Sequence, residues 1–409
     1  MLIAGSLTAA SLADGNKHAD TTNTAAKVAG AQTTAEAGRS EKKVTSKENT
    51  PVPAAASNPQ VVVQEPAPLT SCTPKTTTNS MLPNNSNPTL RKLAAYDKVL
   101  CSGHISSSYI FIGLPRTNDE ADEQALDLAI ALQSFSVSSV KPIVIVEPQY
   151  NGQKTDLSAF VSSSEAGVFD YFLSQVKSRG ITDAQAGTWI MLPEPNLPEW
   201  STLDPSVFTA NFSSLGKMYK SYFPSAKLGM LLDSMTYTQN SYAGSGNRVS
   251  LQPYVSGLPA GLTDVFMLQG FPWVAPAGQK DAIVDASVFL RPAIAIEAAT
   301  TLGVKEVWFN TGSYAAFYTN DATKTVKATA AERQAVLDGI AAQAKTVQKA
   351  GFSMGVMLFA EDKSSLAEAK DWSYWQGDTA AGTDGAKLFA SFADKLTSQG
   401  VSLGVFDTY

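Results

Sequence analysis

Histidine is almost missing from this chain of 409 residues, which contains only His18 and His104. A Ser-His-Asp triad or a zinc site with several histidines therefore cannot be assembled, apart from a strained arrangement around His104 alone. We accordingly expect no metal and no cofactor. Any catalysis has to use carboxylates, amides, hydroxyls and aromatic rings.

Positive charge and long apolar runs are scarce as well. The formal net charge is −6, whereas a nucleic-acid partner calls for a basic surface. No segment after the N-terminus offers the roughly 20 uninterrupted apolar residues of a membrane helix. We therefore expect neither a nucleic-acid partner nor a transmembrane segment. The two cysteines, Cys72 and Cys101, fit a disulfide loop of a secreted protein and two free thiols about equally well.

The composition divides the chain into three parts. Residues 1–13 resemble the later part of a secretory signal without its positively charged start, so the first Met is expected to lie inside a longer signal. Residues 14–95 are rich in Ala, Thr, Ser, Asn and Pro, and such a segment buries too little apolar surface to offset its ordering entropy. We expect a disordered linker there, a folded domain over 96–409, and an extracellular or cell-surface location.

Within the third part, buried apolar runs alternate with longer amphipathic segments. The predicted strands are Tyr109–Leu114, Pro142–Glu147, Thr188–Glu194, Lys227–Asp233, Asp264–Gln269, Glu306–Asn310, Gly355–Glu361 and Ser402–Phe406. The predicted helices are 119–137, 156–179, 204–222, 285–302, 328–350 and 384–399, with one short helix near Leu251–Val255.

Eight strands separated mainly by helices predict a (β/α)8 TIM barrel, an α/β fold. The rival is an open doubly wound sheet, which normally carries a Gly-rich phosphate loop after its first strand. Here Gly113-Leu-Pro-Arg-Thr-Asn stands at that place, and no Walker-type sequence occurs. The barrel is therefore the preferred prediction.

The most informative stretch is 189–200, in which a buried run ends at Glu194 between two prolines. Proline cannot donate to a strand ladder and restricts the residue before it, so Glu194 is held stiffly at a strand end. Asn196 and Trp200 follow closely. A rigid carboxylate beside an amide and an indole suits sugar chemistry, although a strand that simply ends in a solvated Glu has the same pattern.

In barrels of this kind the active site lies at the C-terminal ends of the strands. Those ends carry carboxylates and amides that pair with sugar hydroxyls, and aromatic rings that stack on pyranose faces. The candidate catalytic residues are Glu194, Glu147 and Glu361. The candidate substrate-binding residues are Asn196, Trp200, Asp233, Gln269, Trp273, Asn310, Tyr314, Asp362 and Trp372.

Several motifs occur in the order found in one enzyme family. They are Pro142-Ile-Val-Ile-Val-Glu-Pro, Glu194-Pro-Asn-Leu-Pro-Glu-Trp, Asp264-Val-Phe-Met-Leu-Gln-Gly-Phe-Pro-Trp, and Phe359 with Asp371-Trp372. Over roughly 140–375 the chain resembles clan A glycoside hydrolases, most closely family 26 mannanases and related β-glycanases. The resemblance implies a barrel that acts on a β-linked polysaccharide, with Glu194 as the acid/base residue.

Two departures from the family pattern matter. The family's nucleophile is a Glu at the end of the seventh strand, whereas the matching run here, which begins at Glu306, offers Asn310 or Thr311. In addition, Pro142–Glu147 would be the family's third strand, with one strand before it, so Ser402–Phe406 would have to supply the missing strand as in a circular permutation.

The favoured hypothesis is a secreted glycoside hydrolase, expected to be a monomer, with Glu194 as general acid and Glu147, Glu361 or Asp362 as the second carboxylate. A retaining enzyme needs its carboxyls about 5–5.5 Å apart and an inverting one about 6.5–9.5 Å. The alternative is an inactive barrel that binds surface carbohydrate. A transglycosylase is a third, weaker option.

Overall fold

The computed structural model describes residues 105–136, 140–150, 153–158, 160–196, 204–234, 251–272, 285–313, 317–321, 324–359 and 384–406. The signal remnant, the linker and both cysteines lie outside these residues. Eight strands form the central sheet: β1 Ile105–Gly113, β2 Lys141–Glu147, β3 Thr188–Met191, β4 Lys227–Asp233, β5 Val265–Gln269, β6 Glu306–Thr311, β7 Ser353–Phe359 and β8 Ser402–Phe406.

Helices follow most of these strands. The α-helices are α1 Asn118–Ser136, α2 Ser164–Ser178, α3 Asp183–Ala186, α4 Pro205–Tyr222, α5 Gln252–Val255, α6 Ala286–Phe289, α7 Pro292–Leu302, α8 Ala330–Lys349 and α9 Asp384–Ser398. Two small antiparallel hairpins, 149–154 and 317–327, lie outside the central sheet. In the described part of the chain no helix is long and apolar enough to cross a membrane.

The eight strands form a closed parallel barrel in which each strand pairs with the next one along the chain. The last strand, β8, pairs with β1, with Ile105 level with Leu403. This closure confirms the predicted (β/α)8 fold. Ser402–Phe406 therefore lies beside Ile105–Gly113 in the closed barrel.

Side-chain alternation divides each strand between the barrel interior and the helices. Trp189 on β3 faces outward and stacks on Tyr219 of α4, with ring centroids 4.7 Å apart. Tyr109 on β1 faces inward, and its hydroxyl donates across the interior to Met267 Sδ on β5 at 3.9 Å. In-register residues of neighbouring strands share a face. Trp189 and Tyr109 therefore show which residues of every strand face the helices and which face the barrel interior.

The N-terminal end of the interior is filled by Trp308 of β6. The indole Nε1 donates to Glu306 at 2.8 Å, and Glu306 also pairs with Lys227 of β4. Gly355, level with Trp308 on β7, leaves the space that the indole occupies, since a β-carbon there would overlap the ring. Trp308 is therefore a core residue, in agreement with its position in the middle of a strand.

Local signals account for the helix ends. Asp204 accepts a hydrogen bond from the Ser206 N–H at 2.7 Å, with Pro205 at the first helical position of α4. Four glycines just past helix ends, Gly180, Gly303, Gly351 and Gly400, have positive φ, from +69° at Gly400 to +96° at Gly351.

Two predicted helices are broken. The segment 156–179 contains a 3-10 turn at Phe160–Ser162, and α2 begins only after Ser163, whose hydroxyl accepts from the Glu165 N–H. The segment 285–302 is split into α6 and α7, because Arg291 adopts a φ of +44° before Pro292. At each break the next helix begins at a local start signal. This signal is the Ser163 cap in the first case and Pro292 in the second.

Strand ends differ from prediction by a few residues. The first strand begins at Ile105 instead of Tyr109, and β7 begins at Ser353 and ends at Phe359. The third strand ends at Met191, not at Glu194, because Leu192 turns the backbone to a φ of +51°. Glu194 therefore lies in a loop that follows the strand.

Candidate active site at the C-terminal ends of the strands

Six of the twelve predicted site residues lie in the described part of the chain, at the C-terminal ends of β2 to β6. They are Glu147, Glu194, Asn196, Asp233, Gln269 and Asn310. The other six lie outside the described residues: Glu361, Trp200, Trp273, Tyr314, Asp362 and Trp372.

Glu147 is the last residue of β2 and faces the barrel interior, since it is in register with Gly113 on β1 and follows the inward set of Ile143 and Ile145. Its side chain is 7% exposed. Burial raises the pKa of Glu147 to about 7, and a hydrogen bond donated by the Gln149 amide at 3.4 Å opposes that shift. Glu147 is therefore close to half protonated at neutral pH.

Gly113 and Gln149 together build the environment of Glu147. The main chain of Gln149 crosses the end of β1, and a β-carbon on Gly113 would overlap its carbonyl oxygen. The Leu114 N–H donates to the Glu147 carbonyl at 3.0 Å, which extends the pairing of β1 and β2 past the strand ends. A glycine is needed at position 113 because of this close backbone approach.

Glu194 is carried by a backbone in an uncommon conformation. Both Leu192 and Glu194 have positive φ, +51° and +55°, which costs an L-residue roughly 1–2 kcal/mol each. Hydrogen bonds hold this loop to both neighbouring strands: Leu192 N–H donates to the Val146 carbonyl at 2.9 Å, and Glu194 N–H to the Leu231 carbonyl at 2.8 Å. Strain of this kind persists only where the surrounding contacts impose it.

The Glu194 carboxylate acts on the barrel interior. Burial raises the pKa of the Tyr109 phenol well above its ordinary value, and the negative charge of Glu194 raises it further. Tyr109 is the inward residue of β1 whose hydroxyl reaches Met267. The carboxylate is thus near enough to the barrel interior for its charge to affect the Tyr109 phenol.

Asn196 extends the pairing of β3 with β4. Its side-chain Nδ2 donates to the Asp233 carbonyl at 2.8 Å, and its Oδ1 accepts from the Asp233 N–H at 2.9 Å. The Asn196 amide, which the sequence suggested for substrate binding, is thus engaged with main chain. In this arrangement it holds the loop that carries Glu194 and the strand end that carries Asp233.

Asp233, Gln269 and Asn310 are in register at the ends of β4, β5 and β6 and face the interior. Gln269 Nε2 donates to Asp233 Oδ2 at 3.2 Å, and Asn310 Nδ2 donates to Gln269 Oε1 at 2.5 Å. We call this set the polar chain. It gives one half of the barrel mouth a continuous row of buried polar groups.

Buried aromatic rings occupy the other half of the C-terminal end of the barrel, on β7, β8 and β1. Phe359 lies edge-on to Phe271 with centroids 6.2 Å apart, and Phe406 lies 5.1 Å from Phe359 and 4.7 Å from Tyr109. Sequence reasoning did not select Tyr109 or Phe406 as site residues. Their inward position in strands adjacent to the barrel closure was the signal that could have found them.

The relative placement of the candidate residues around the barrel is regular. Glu147 and Glu194 follow adjacent strands, β2 and β3, whose paired residues include Val146 and Met191. Asn310 stands three strands beyond Glu194.

Among the described residues, no group of three or more His, Cys, Asp and Glu side chains is placed to hold a metal ion. The polar chain contributes a single carboxylate, since its other two members are amides. Its chemistry is that of hydrogen bonding to neutral polar groups.

Comparisons with known proteins give only distant similarities. No protein-family model matches the chain, and no curated protein sequence matches it. Solved structures that are similar include the exo-β-1,4-mannosidase Op5Man5 from Opitutaceae bacterium strain TAV5, with 14% identity over 72% of this chain and 53% of that one and a TM-score of 0.49. This chain thus spans about half the length of the mannosidase.

Two further similar structures are those of the endo-β-1,4-glucanase Xac0029 from Xanthomonas axonopodis pv. citri and an endo-1,4-β-D-mannanase from Thermotoga petrophila RKU-1. The first is 14% identical over 76% of this chain and 91% of that one, with a TM-score of 0.49. The second is 10% identical over 74% and 93%, with a TM-score of 0.45. These proteins are glycoside hydrolases.

Proposed function

We propose that this chain hydrolyses glycosidic bonds in a β-linked polysaccharide with Glu147 and Glu194 as its catalytic carboxyls. The observation that carries the proposal is the buried Glu147, whose pKa of about 7 makes it a proton donor at neutral pH, at the end of the strand next to the one that carries Glu194. Two carboxyls in different environments at one site are what glycoside hydrolysis requires.

The roles follow from the environments. Glu147 donates its proton to the oxygen of the leaving sugar, because a buried carboxyl with a raised pKa keeps its proton near neutral pH. Glu194, which is half-buried, acts as the charged partner, either as the base that activates water or as the nucleophile. This assignment moves the acid role from Glu194, where the sequence pattern suggested it, to Glu147.

The shape and chemistry of the mouth support a sugar as substrate. A pyranose ring has apolar faces and a polar rim, and the barrel mouth has an aromatic half and a polar half. The aromatic half contains Phe359 and Phe406, and the polar half contains the polar chain. We propose that the rings contact sugar faces and that the amides bind hydroxyls. Trp200, Trp273, Tyr314, Asp362 and Trp372 remain candidates for the same task, and Glu361 remains a candidate third carboxyl.

Hydrolysis assays on β-mannans and β-glucans with single variants test this proposal. We expect Glu147→Gln and Glu194→Gln each to lower kcat by about 10²–10⁴-fold, the usual contribution of an acid/base group. Glu306→Gln, which changes a carboxylate at the opposite end of the barrel, serves as the control and should keep activity. Activity of the natural chain should decline as the pH rises above about 7, since Glu147 then loses its proton.

The outcome that contradicts hydrolysis is glycan binding without turnover in the natural chain, which would favour the carbohydrate-binding alternative. Where turnover occurs, NMR of the first-formed anomer separates retention from inversion, and sugar-to-sugar transfer in the products would indicate a transglycosylase. Retention of the anomeric configuration would assign Glu194 as the nucleophile, and inversion would assign it as the base.

We also propose that the protein acts as a monomer outside the cell, on or near the cell surface. The signal-like start of the chain and the polar segment of residues 14–95 support the location, and the monomeric state stays a prediction. Expression in the source cells with fractionation of medium, envelope and cytosol, followed by sizing of the recovered protein, tests both points. Recovery from the cytosol with an intact N-terminus would contradict export.

A further inference from the structure

The polar chain ends in a group without a partner. Asn310 donates to Gln269, but its Oδ1, although buried, accepts no hydrogen bond from the residues that the structure describes. Only 3% of the Asn310 side chain is exposed. A buried acceptor without a donor is destabilising, and a ligand that supplies the missing donor removes that penalty.

The direction of the polar chain decides which end of the Asn310 amide is left over. A carboxylate can only accept, so Asp233 requires the NH2 group of Gln269. The Gln269 oxygen then faces Asn310, which must answer with its own NH2 group. The oxygen of Asn310 is the group that remains, so the order of the three residues presents an acceptor and not a donor.

The neighbour on the other side cannot satisfy it. Met357 is level with Asn310 on β7, and a thioether has no hydrogen to donate. Its terminal atoms extend over Gly404 of β8, where a β-carbon would lie 2.5 Å from the Met357 methyl group. Asn310 thus lies between Gln269, which presents an oxygen to it, and Met357, which is apolar. Neither side chain can donate to Asn310 Oδ1.

We propose that Asn310 Oδ1 is a specificity-determining acceptor that receives a hydrogen bond from a sugar hydroxyl, with its polarity imposed by Asp233 through Gln269. This inference rests on the proposed function for its class of ligand. It deepens that function in one respect: the hydroxyl at this subsite must act as a donor, so a sugar in which it is replaced by fluorine or a methyl ether binds poorly.

The same polarity explains why position 310 does not carry a carboxylate. An ionised side chain there would face the Gln269 oxygen, and reversing the Gln269 amide would turn that oxygen against the carboxylate of Asp233. With the polar chain in place, position 310 is therefore suited to holding substrate and not to attacking it. The attacking group has to come from elsewhere on the rim.

Calorimetric titration with mannohexaose and cellohexaose, and with monodeoxyfluoro derivatives of the better binder, tests this inference. The critical variant is Asn310→Leu, which keeps the size and removes the acceptor. We expect it to weaken binding of the parent sugar about tenfold, the value of one good hydrogen bond. We also expect it to abolish the preference of the natural chain for the parent over one particular fluoro derivative.

Thr311→Val is the matched control. Thr311 is the next residue on β6 and also has a buried hydroxyl without a partner among the described residues, but strand alternation turns it toward the helices. It should leave both the affinity and the preference unchanged. Gln269→Leu removes the hydrogen bonds that link Asp233 to Asn310 in the polar chain. It should reduce the preference while leaving Asn310 in place.

The outcomes separate this inference from the proposed function. An unchanged preference in Asn310→Leu overturns the role of Asn310 even where the natural chain hydrolyses the probe. A lost preference in a chain that never hydrolyses supports the acceptor and overturns hydrolysis. If no glycan of either series binds the natural chain, both proposals fall.

Discussion

The side-chain amide of Asn196 exchanges two hydrogen bonds with the main chain of Asp233, at 2.8 and 2.9 Å. Through this exchange an asparagine takes the place of a strand residue, at a point where β3 has already ended at Met191. The loop that carries Glu194 is thereby fixed to β4. The position of the Glu194 carboxylate thus depends on Asn196, whose side chain is hydrogen-bonded to the main chain of Asp233.

We predict that Asn196→Ala lowers the free energy of unfolding by about 2–4 kcal/mol, because it leaves a buried N–H and a buried carbonyl of Asp233 unpaired. Urea denaturation measures this change, and Asn118→Ala at an exposed position is the control. We also expect kcat to fall, since Glu194 loses its support. A variant as stable as the natural chain would show that the exchange contributes nothing.

We predict that the stability of the protein depends on pH through Glu147. The pKa is raised from 4.5 to about 7 on folding, so the folded state binds the proton more tightly than the unfolded chain. The stabilisation is complete below pH about 4.5 and is lost as the pH rises through 7, a difference of roughly 3 kcal/mol.

Calorimetric melting between pH 5 and pH 9 measures this dependence. In Glu147→Gln the decline over that window should be smaller by the same amount, because an amide does not titrate. An equally steep decline in the variant would assign the pH dependence to other groups. Glu306→Gln, at the other end of the barrel, should retain the decline of the natural chain.

We predict that two Gly→Ala variants change stability in opposite directions. Gly113→Ala places a methyl group against the Gln149 carbonyl, so overpacking should cost about 1–3 kcal/mol and displace the partner of Glu147. Gly167→Ala lies in α2 with nothing within 4 Å of the new methyl group, so it should stabilise by roughly 0.5–1 kcal/mol. Chemical denaturation of the pair gives the answer, and a harmless Gly113→Ala would contradict the close approach.

We predict that Glu194→Gly is more stable than Glu194→Ala by about 1 kcal/mol. The reason is the φ of +55° at this position, which glycine adopts without the penalty of a β-carbon. This order is the reverse of that expected in α2. Both variants should lose activity, so the comparison separates backbone strain from chemistry. Equal stabilities would indicate that the loop relaxes when the carboxylate is removed.

Much of the fold was predictable because each strand is a short apolar run bounded by turn residues. All eight runs form strands, and they close in the predicted barrel. The end of β3 was not predictable, since the turn at Leu192 is imposed by hydrogen bonds to β2 and β4 and not by the identity of the residue. The break at Arg291 was signalled by Pro292 but overridden in the prediction by the apolar pattern of 285–302.

The candidate site was predictable as a set and not as an arrangement. Asp233, Gln269 and Asn310 were each expected at strand ends, but their order as carboxylate, amide and amide acquires a direction only when the register aligns them. The raised pKa of Glu147 depends on its burial in the folded barrel. Such properties arise from tertiary contacts, which periodicity does not encode.

The indole of Trp308 limits the route by which a glycan can reach the barrel interior. Because it obstructs the interior from below, a glycan cannot thread through the cylinder as it would through a tunnel. A ligand that reaches the carboxyls must therefore enter and leave at the C-terminal end of the barrel. Processive sliding of a polymer would therefore have to run across the C-terminal end of the barrel.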